Sequence, residues 1–307
     1  MKKPFDILVA GEINPDLILA GDVIPGFGQV EKLVDSATIT IGSSSAIFAC
    51  GAARLGLKVA FIGVCADDVF GRFMLDEMRK RDVDIENVIV RPEGDTGLSV
   101  ILAQGADRAI LTHSGLISAL QASDISDSLL RQARHLHVAS YFLQTALQPD
   151  LSDLFRRAHS LGLTTSLDTN YDPSEKWNGF DELLSVTDVF LPNEKEAISL
   201  SREANVDVAA DRLKVKVETL AIKMGADGAL GINRNQKVRA ASIAVKVVDT
   251  VGAGDSFDAG FLYGFLNDWS LEKSLQLACV CGALSTQAAG GVNGQPSLDE
   301  AMKHASG

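Results

Sequence analysis

The sequence predicts an α/β fold with a mainly parallel central sheet, and three observations support this prediction. Short apolar runs of strand length recur between residues 7 and 222. Segments with helical spacing of apolar residues lie between many of these runs, and continuous apolar runs are typical of strands that are buried on both faces. With 307 residues, 46% of them hydrophobic, the chain is long enough for one large core. We therefore expect residues 1–307 to form a single α/β domain.

The individual elements follow from apolar runs and their boundaries. The first strand is predicted at 7–10, and a helix of small residues at 45–55 ends at Gly56. A strand at 59–64 precedes a helix at 70–81, which is apolar on one side and basic at its end. Further strands are predicted at 135–140, 164–167, 189–191 and 219–222, with helices at 151–161 and 181–185.

Two segments, residues 13–41 and 96–114, lack helical periodicity and are predicted to form a small β lid beside a pocket. Their extended stretches are 32–40, 97–102 and 108–112, with a hairpin turn at Gly105, Ala106 and Asp107. We expect apolar lid residues such as Val34, Ile39 and Ile41 to be partly uncovered, and two lids to pair in a homodimer.

The charge, the cysteines and the apolar runs of the sequence predict which classes of partner the protein lacks and in which compartment it lies. There are 28 basic against 40 acidic residues, a formal charge of −12, so we expect neither nucleic acid nor an anionic membrane surface as a partner. The four cysteines lie in apolar surroundings typical of buried free thiols. The first apolar run is too short for a signal peptide, and no stretch approaches the length of a membrane span. We therefore expect a cytoplasmic, reduced protein.

The most informative motif begins at Asp249 and continues to Leu262. Residues 245–249 are predicted as a strand, a turn of small residues follows, and then a helix. Gly252 and Gly254 allow close approach of the backbone to a ligand, and a helix N-terminus supplies free N–H groups for an anion. Asp255 comes directly after this turn, where a carboxylate acts either as an ordinary N-cap or as the acceptor of a proton from an attacking hydroxyl.

Other nucleotide motifs are missing from the sequence. It contains no G-x-x-x-x-G-K-[ST] loop. Phe257 stands where a dinucleotide fingerprint needs its third glycine, and the motif comes late in the chain. Both observations argue against a Rossmann oxidoreductase, which we retain as a third hypothesis.

The run from Asp249 to Leu262 resembles the C-terminal signature of the PfkB family, the ribokinase-like carbohydrate kinases. The resemblance extends along nearly the whole chain, at residues 11–17, 42–56, 63–71, 192–197 and 223–229. It implies a ribokinase-like three-layer sandwich and an ATP-dependent kinase that phosphorylates a hydroxymethyl group of a sugar-like molecule. It also implies that Asp255 is the catalytic base, and that the N–H groups of Gly252, Ala253 and Gly254 form the anion hole.

The same resemblance implies a nucleotide and metal side of the site. Asn193 and Glu196 would organise Mg²⁺ and its waters, although a helix start with Glu in its first turn explains them equally well. Lys223, Gly225 and Gly228 would lie on the nucleotide side. A monovalent cation such as K⁺ would be held by Asp249 and by carbonyl groups near Val251 and Gly291, and the alternative for Asp249 is a turn cap.

On the acceptor side, the resemblance implies that Asn14, Asp16 and Gly42 contact the sugar-like substrate. Asp168 and Asn170 end the predicted strand at 164–167, where open α/β sheets bind ligands, although an Asx turn is an equal alternative. Arg108, in the predicted lid, is either a solvated charge or a contact for an anionic substrate.

One departure from the family pattern concerns the acceptor. Ser43 stands where a second glycine is usual, and Ile47 stands where an asparagine would hydrogen-bond the sugar. We therefore expect both residues to line the acceptor pocket and ribose and fructose to be poor acceptors. A nucleoside or a sugar acid is the alternative substrate, and a ligand-binding relative without catalysis is the alternative function.

Overall fold

The computed structural model describes residues 3–104, 107–234 and 236–305. In these residues the strands are β1 (Phe5–Ala10), β2 (Pro15–Ala20), β3 (Ser36–Ile41), β4 (Val59–Ile62), β5 (Val64–Ala66), β6 (Val83–Asp84), β7 (Ile89–Arg91), β8 (Leu98–Gln104), β9 (Asp107–His113), β10 (Ala133–Val138), β11 (Thr164–Leu167), β12 (Val189–Phe190), β13 (Thr219–Lys223), β14 (Ala229–Asn233) and β15 (Gln236–Ala240).

The helices of the same residues are α1 (Ser44–Arg54), α2 (Val69–Arg79), α3 (Asp127–Leu130), α4 (Leu151–Ser160), α5 (Phe180–Ser185), α6 (Glu194–Ser201), α7 (Val206–Leu213), α8 (Ala253–Leu266), α9 (Leu271–Ser285) and α10 (Leu298–Ala305).

The predicted mainly parallel sheet is confirmed. The described strands form a nine-stranded sheet in the order β15-β14-β13-β12-β11-β10-β1-β4-β6. The pairings from β13 to β6 are parallel, and β14 and β15 are antiparallel. Helices pack on both faces of the sheet, and an apolar core lies between the sheet and the helices on each face. Because both faces of the central strands are buried, residues 7–10 of β1 and all of β4 are apolar. The carboxyl ends of the parallel strands meet at one edge, where ligands bind in open α/β folds.

A separate four-stranded sheet comes from the two segments that lack helical periodicity. Its order is β3-β2-β8-β9, with β2 and β8 parallel and the other pairings antiparallel. We call it the lid sheet. Gln104 pairs with Asp107 as in the predicted hairpin, whereas Gly105 and Ala106 of the predicted turn lie outside the described residues. Ile39 is 42% exposed, but Ile41 is buried, because β3 ends against the body of the protein.

Three predicted strands differ in the structure. Residues 245–249 form no strand; Val245 and Val247 line a groove beside α9 instead of pairing with a neighbouring strand. The predicted strand at 59–64 divides at Gly63 into β4, which pairs with β1, and β5, which pairs with β7 in a separate two-stranded sheet. The strand predicted to start at residue 32 starts at Ser36.

The four cysteines are buried and unbridged, as their apolar surroundings predicted. Burial raises the pKa of the Cys50 and Cys281 thiols to about 12. Among the described residues, no helix combines the length and the apolar character that crossing a bilayer requires.

Candidate active site

Helix α8 begins at the predicted glycine turn. Gly252 is its N-cap with a φ of +73°, and a side chain there would lie 2.7 Å from the backbone of Gly291, so only glycine fits. The first N–H groups of an α-helix have no acceptor within the helix and carry partial positive charge. The turn of Gly252, Ala253 and Gly254 therefore has the geometry that the predicted anion hole needs.

Asp255 lies in the first turn of α8 and is 8% exposed. The Ser44 side chain, at the start of α1, favours its charged form. Burial, followed by repulsion from Asp168, raises the pKa of Asp255 well above its ordinary value, and Lys223 opposes this shift. A carboxylate with a raised pKa is a stronger base than an exposed one, which suits proton transfer from an alcohol.

A second buried carboxylate, Glu12, follows β1. It accepts hydrogen bonds from the Ser45 hydroxyl at 2.6 Å and from the Ser140 hydroxyl at 2.9 Å. The amide oxygen of Asn170 accepts from the Ser44 hydroxyl at the start of α1, and its nitrogen donates to Asp168 at 3.2 Å. This network joins the carboxyl ends of β1, β10 and β11 to the start of α1, so the strand-end residues predicted from sequence do converge.

Asp16 belongs to the lid sheet and faces the same region. It is 6% exposed, and burial raises its pKa to about 7 against the opposing attraction of Arg108. A side chain at Gly42 would lie 2.2 Å from its Oδ1 atom, so glycine makes room for this carboxylate. Asn14 Nδ2 donates to the Ser99 hydroxyl of β8 at 3.3 Å, which connects the acceptor side to the lid sheet.

The two residues that depart from the family pattern have local partners. Ser43 is the N-cap of α1, and its hydroxyl donates to the Glu12 carbonyl oxygen at 2.7 Å. Ile47 is 3% exposed and packs against Gly252 and Gly291. It therefore contacts the turn that forms the predicted anion hole.

Asn193 and Glu196 form a reciprocal capping box at the start of α6, which is the helix-start alternative. The Glu196 carboxylate accepts from the Asn193 N–H at 2.9 Å. Burial, followed by repulsion from Asp168, raises the pKa of Glu196 to about 7. Carboxylate and amide oxygens are ligands that Mg²⁺ prefers, and a cation nearby would relieve this buried negative charge, so the two residues fit the ion.

A cavity of about 620 Å³ lies beside the start of α8. Lys223, Gly225, Gly228 and Gly254 line it together with apolar residues of 243–247 and of α9. Gly225 and Gly228 both have positive φ angles and form the turn between β13 and β14. The volume is typical of small-molecule sites, and the cavity reaches the glycine turn of α8.

Asp249 holds two loops together, as the turn-cap alternative predicts. Its carboxylate accepts from the Val251 N–H at 3.0 Å and from the Gly290 N–H at 2.9 Å. The monovalent cation at Asp249, Val251 and Gly291 stays a prediction.

Sequence analysis did not assign Glu12, Ser44 or Asp258 to the site. Glu12 follows the first predicted strand, so the strand-end rule that selected Asp168 applies to it as well. Asp258 is three residues after Asp255 on one helix, a spacing that places both on one face. Ser44 lies within a run of serines at a helix start, with no signal that separates it from its neighbours.

Comparison with known proteins agrees with this arrangement. The family described as pfkB family carbohydrate kinase matches residues 5–298. The chain belongs to this family. The resemblance seen at the 249–262 motif is thus confirmed, and the protein is a carbohydrate kinase, which excludes the oxidoreductase hypothesis.

Individual relatives are similar over most of their length. The chain is 30% identical to an ATP-dependent ribose-1-phosphate kinase from Halopiger xanaduensis, covering 95% of each chain. It is 30% identical to a 2-dehydro-3-deoxygluconokinase from Bacillus subtilis, covering 82% of each. A protein from E. coli solved in complex with ATP and Mg²⁺ is 24% identical, with a TM-score of 0.85 and 98% of each chain covered. The ribokinase-like fold is therefore confirmed.

Proposed function

We propose that this kinase transfers the γ-phosphoryl group of ATP to a hydroxymethyl group of a sugar-like molecule, with Asp255 as the general base. The observation that carries the proposal is the position of Asp255, which is buried in the first turn of α8 and adjacent to the glycine turn. The turn binds the oxygens of an anion, while the raised pKa of Asp255 favours acceptance of a proton there.

The other residues position the reactants in this proposal. Asp16 binds hydroxyl groups of the acceptor, and the N–H groups of Gly252, Ala253 and Gly254 bind oxygens of the transferring group. The cavity that Lys223 lines holds the nucleotide. Support comes from its volume and from the relative that was solved with ATP.

Two cations belong to the proposal. Mg²⁺ supplies positive charge that offsets the phosphates when it is bound, and Glu196 with Asn193 holds it through water. A monovalent cation at Asp249 would bind to the loops that this carboxylate already joins. Turnover measured in KCl against tetramethylammonium chloride tests that cation, and equal rates in the two salts would argue against it.

The test of the base is Asp255→Asn, assayed by ADP release with ATP, Mg²⁺ and a panel of sugars, sugar acids, sugar phosphates and nucleosides. We expect kcat to fall by at least about 10²-fold with nucleotide binding retained, the usual scale for loss of a general base. Asp268→Asn changes an exposed aspartate after α8 and serves as the control. Near-normal turnover in Asp255→Asn would remove Asp255 from the role of base.

One observation favours an anionic acceptor, the sugar-acid alternative. Arg108 of the lid sheet lies close to the acceptor side, with its Nη1 atom 3.3 Å from the Thr250 hydroxyl, and its charge lowers the pKa of Asp16. A sugar acid or a sugar phosphate needs such a cation, because Glu12, Asp16 and Asp255 make this region acidic. The names of two relatives, a ribose-1-phosphate kinase and a 2-dehydro-3-deoxygluconokinase, indicate substrates of this class.

The panel tests this alternative through Arg108→Ala. If the acceptor is anionic, KM for it should rise at least about 10-fold, the scale of a hydrogen bond to a charged group, whereas KM for neutral sugars should stay unchanged. Lys32→Ala removes another cation, which pairs with Asp22 between β2 and β3, and serves as the control. Equal changes for neutral and anionic acceptors would contradict the assignment.

We also propose a homodimer formed by lid sheets, and a reducing compartment such as the cytoplasm. Phe27 and Leu33, in the loop between β2 and β3, are 96% and 87% exposed, and Ile39 on β3 is 42% exposed. Burying such residues against a second copy removes apolar surface from water. Light scattering at micromolar concentration tests the dimer, and a monomer mass for the wild type would contradict it. The four unbridged thiols support the compartment.

A further inference from the structure

Lys223 lies in an ion cluster beside Asp255. Its Nζ atom is 2.8 Å from Asp168 Oδ2 and 3.0 Å from Asp258 Oδ2. The Lys223 side chain is 11% exposed, and the two partner carboxylates are 3% and 1% exposed. The three residues come from β13, from the loop after β11 and from α8, so separate parts of the fold hold the ammonium group in place.

The ammonium group does not bond directly to the proposed base. Oxygen atoms of Asp168, Asp255 and Asp258 all lie within 4.8 Å of one another. Among the ion pairs of the described residues, those of Lys223 are with Asp168 and Asp258. A direct ion pair with Asp255 would make that carboxylate a weaker base, whereas a cluster with no cation would keep it protonated.

We propose that Lys223 is a positioning residue of the phosphoryl transfer, whose ammonium group offsets the two carboxylates packed against Asp255 and so keeps Asp255 able to accept a proton. The inference rests on the proposed role of Asp255 as the base. It gives Lys223 a function different from the contact with nucleotide that the family resemblance implies.

The charged groups around Asp255 are consistent with this role. Glu12 faces it from the loop after β1, Asp168 from the loop after β11, Asp258 from α8 itself and Lys223 from β13. Lys223 is the cation of this set. Burial raises the pKa of Asp258 well above its ordinary value, so Asp168 is the carboxylate whose negative charge Lys223 chiefly offsets. Burial by itself would lower the pKa of Lys223, but Asp168 and Asp258 raise it, so the ammonium group stays charged over the working range of pH.

Asp168 carries most of the opposing charge. Although burial alone would raise its pKa, Lys223 and hydrogen bonds hold the pKa of Asp168 below its ordinary value, so it is ionised. It is also the charge that most strongly raises the pKa of Asp255, whereas Lys223 is the one that lowers it. Removing Lys223 or Asp168 should therefore shift the titration of Asp255 in opposite directions.

The experiment measures kcat/KM against pH, because this quantity reports the ionisation of groups in the free enzyme. The proteins are wild type, Lys223→Gln, Lys223→Arg, Asp168→Asn and the double variant Lys223→Gln/Asp168→Asn, each assayed by ADP release with the fastest acceptor of the panel. We expect the acid limb of Lys223→Gln to move at least about one pH unit upward, since an opposite charge at this range shifts a pKa by one to three units.

The other variants provide the matched controls. Lys223→Arg keeps the charge and should keep the acid limb of the wild type, Asp168→Asn should move the limb downward, and the double variant should return close to the wild type. If Lys223→Gln does not fold, the comparison of Asp168→Asn with the double variant still isolates the ammonium group, and the double variant should have the higher acid limb by about one unit.

A purely structural role has a different signature. Lys223→Gln would then lose activity equally at every pH, with its acid limb in place, and that result would overturn the inference. This failure is distinguishable from failure of the proposed function. Asp255→Asn would still lower kcat by at least about 10²-fold in the first case and would leave it near normal in the second.

Discussion

The contact between Gly42 and Asp16 makes a sharp prediction about the acceptor side of the site. Gly42→Ala would place a methyl group 2.2 Å from Asp16 Oδ1 and 2.8 Å from the carbonyl oxygen of Asn14. Ordinary van der Waals contact needs about 3.4 Å or more. The backbone of Asn14 moves less easily than a side chain, so the Asp16 carboxylate would have to move by ~1 Å. A displacement of this size costs about 10²-fold when the group positions a reactant.

We therefore expect kcat/KM for the acceptor to fall about 10²-fold in Gly42→Ala, with KM for ATP nearly unchanged. The added methyl group should also lower the free energy of unfolding by about 1–3 kcal/mol, the usual cost of overpacking. Steady-state kinetics with each substrate varied, together with urea denaturation, measures both effects. Gly26→Ala is the control, because a side chain there meets Val30 only at 3.4 Å. An unchanged kcat/KM for the acceptor in folded Gly42→Ala would refute the role of Asp16 as an acceptor ligand.

Three further predictions follow from the site and the core. Glu196→Gln keeps one oxygen for the Asn193 N–H of the capping box but loses the second acceptor, to which Asn193 Nδ2 donates. The melting temperature should therefore fall only slightly while the Mg²⁺ concentration for half-maximal rate rises, and an unchanged Mg²⁺ titration would leave only the capping role. Ile47→Asn should raise kcat/KM for ribose or fructose relative to the native acceptor, and an unchanged ranking of acceptors would remove Ile47 from the acceptor pocket. Burial lowers the pKa of His137 to about 3, below its value of about 6.5 in the unfolded chain. Below pH 6.5 the unfolded chain therefore binds a proton that the folded protein does not bind. The contribution of neutral His137 to the free energy of unfolding is lost as the pH falls. The destabilisation caused by His137→Gln should therefore shrink by about 2 kcal/mol between pH 7 and pH 5 in urea denaturation, whereas exposed His304→Gln should show no such change.

The sequence was sufficient for the features that depend on local chemistry. Gly252, Gly254 and Asp255 predicted a tight turn followed by a helix, and both are present. The N-cap is Gly252 and not Asp255, the residue that the N-cap alternative named, because the helix already begins at Ala253. Asp168 was found because a polar residue after a buried strand marks the edge of a parallel sheet.

The features that depend on distant contacts could not be predicted. Glu12 and Ser45 bond to each other across 33 positions, and nothing local to either residue specifies its partner. Residues 245–248 have the composition of a strand, but a strand forms only where a neighbouring strand offers a free edge, and Val245 and Val247 line a groove instead. The cluster of Lys223 with Asp168 and Asp258 likewise exists only once three elements have packed together.

Strand β2 of the lid sheet carries Asp16, the proposed ligand of the acceptor. Asp16 is its second residue, and it pairs with Thr40 of β3 on one side and with Ser99 of β8 on the other. A rotation of the lid sheet therefore carries Asp16 with it. If Asp16 binds the acceptor as proposed, the acceptor affinity depends on the orientation of the whole sheet. By thermodynamic linkage, an acceptor that binds Asp16 also shifts the population of lid orientations, and a change on the outer face of the lid sheet alters acceptor affinity by the same free energy. On this proposal, discrimination between acceptors depends both on the groups that contact the sugar and on how easily the lid sheet changes its orientation.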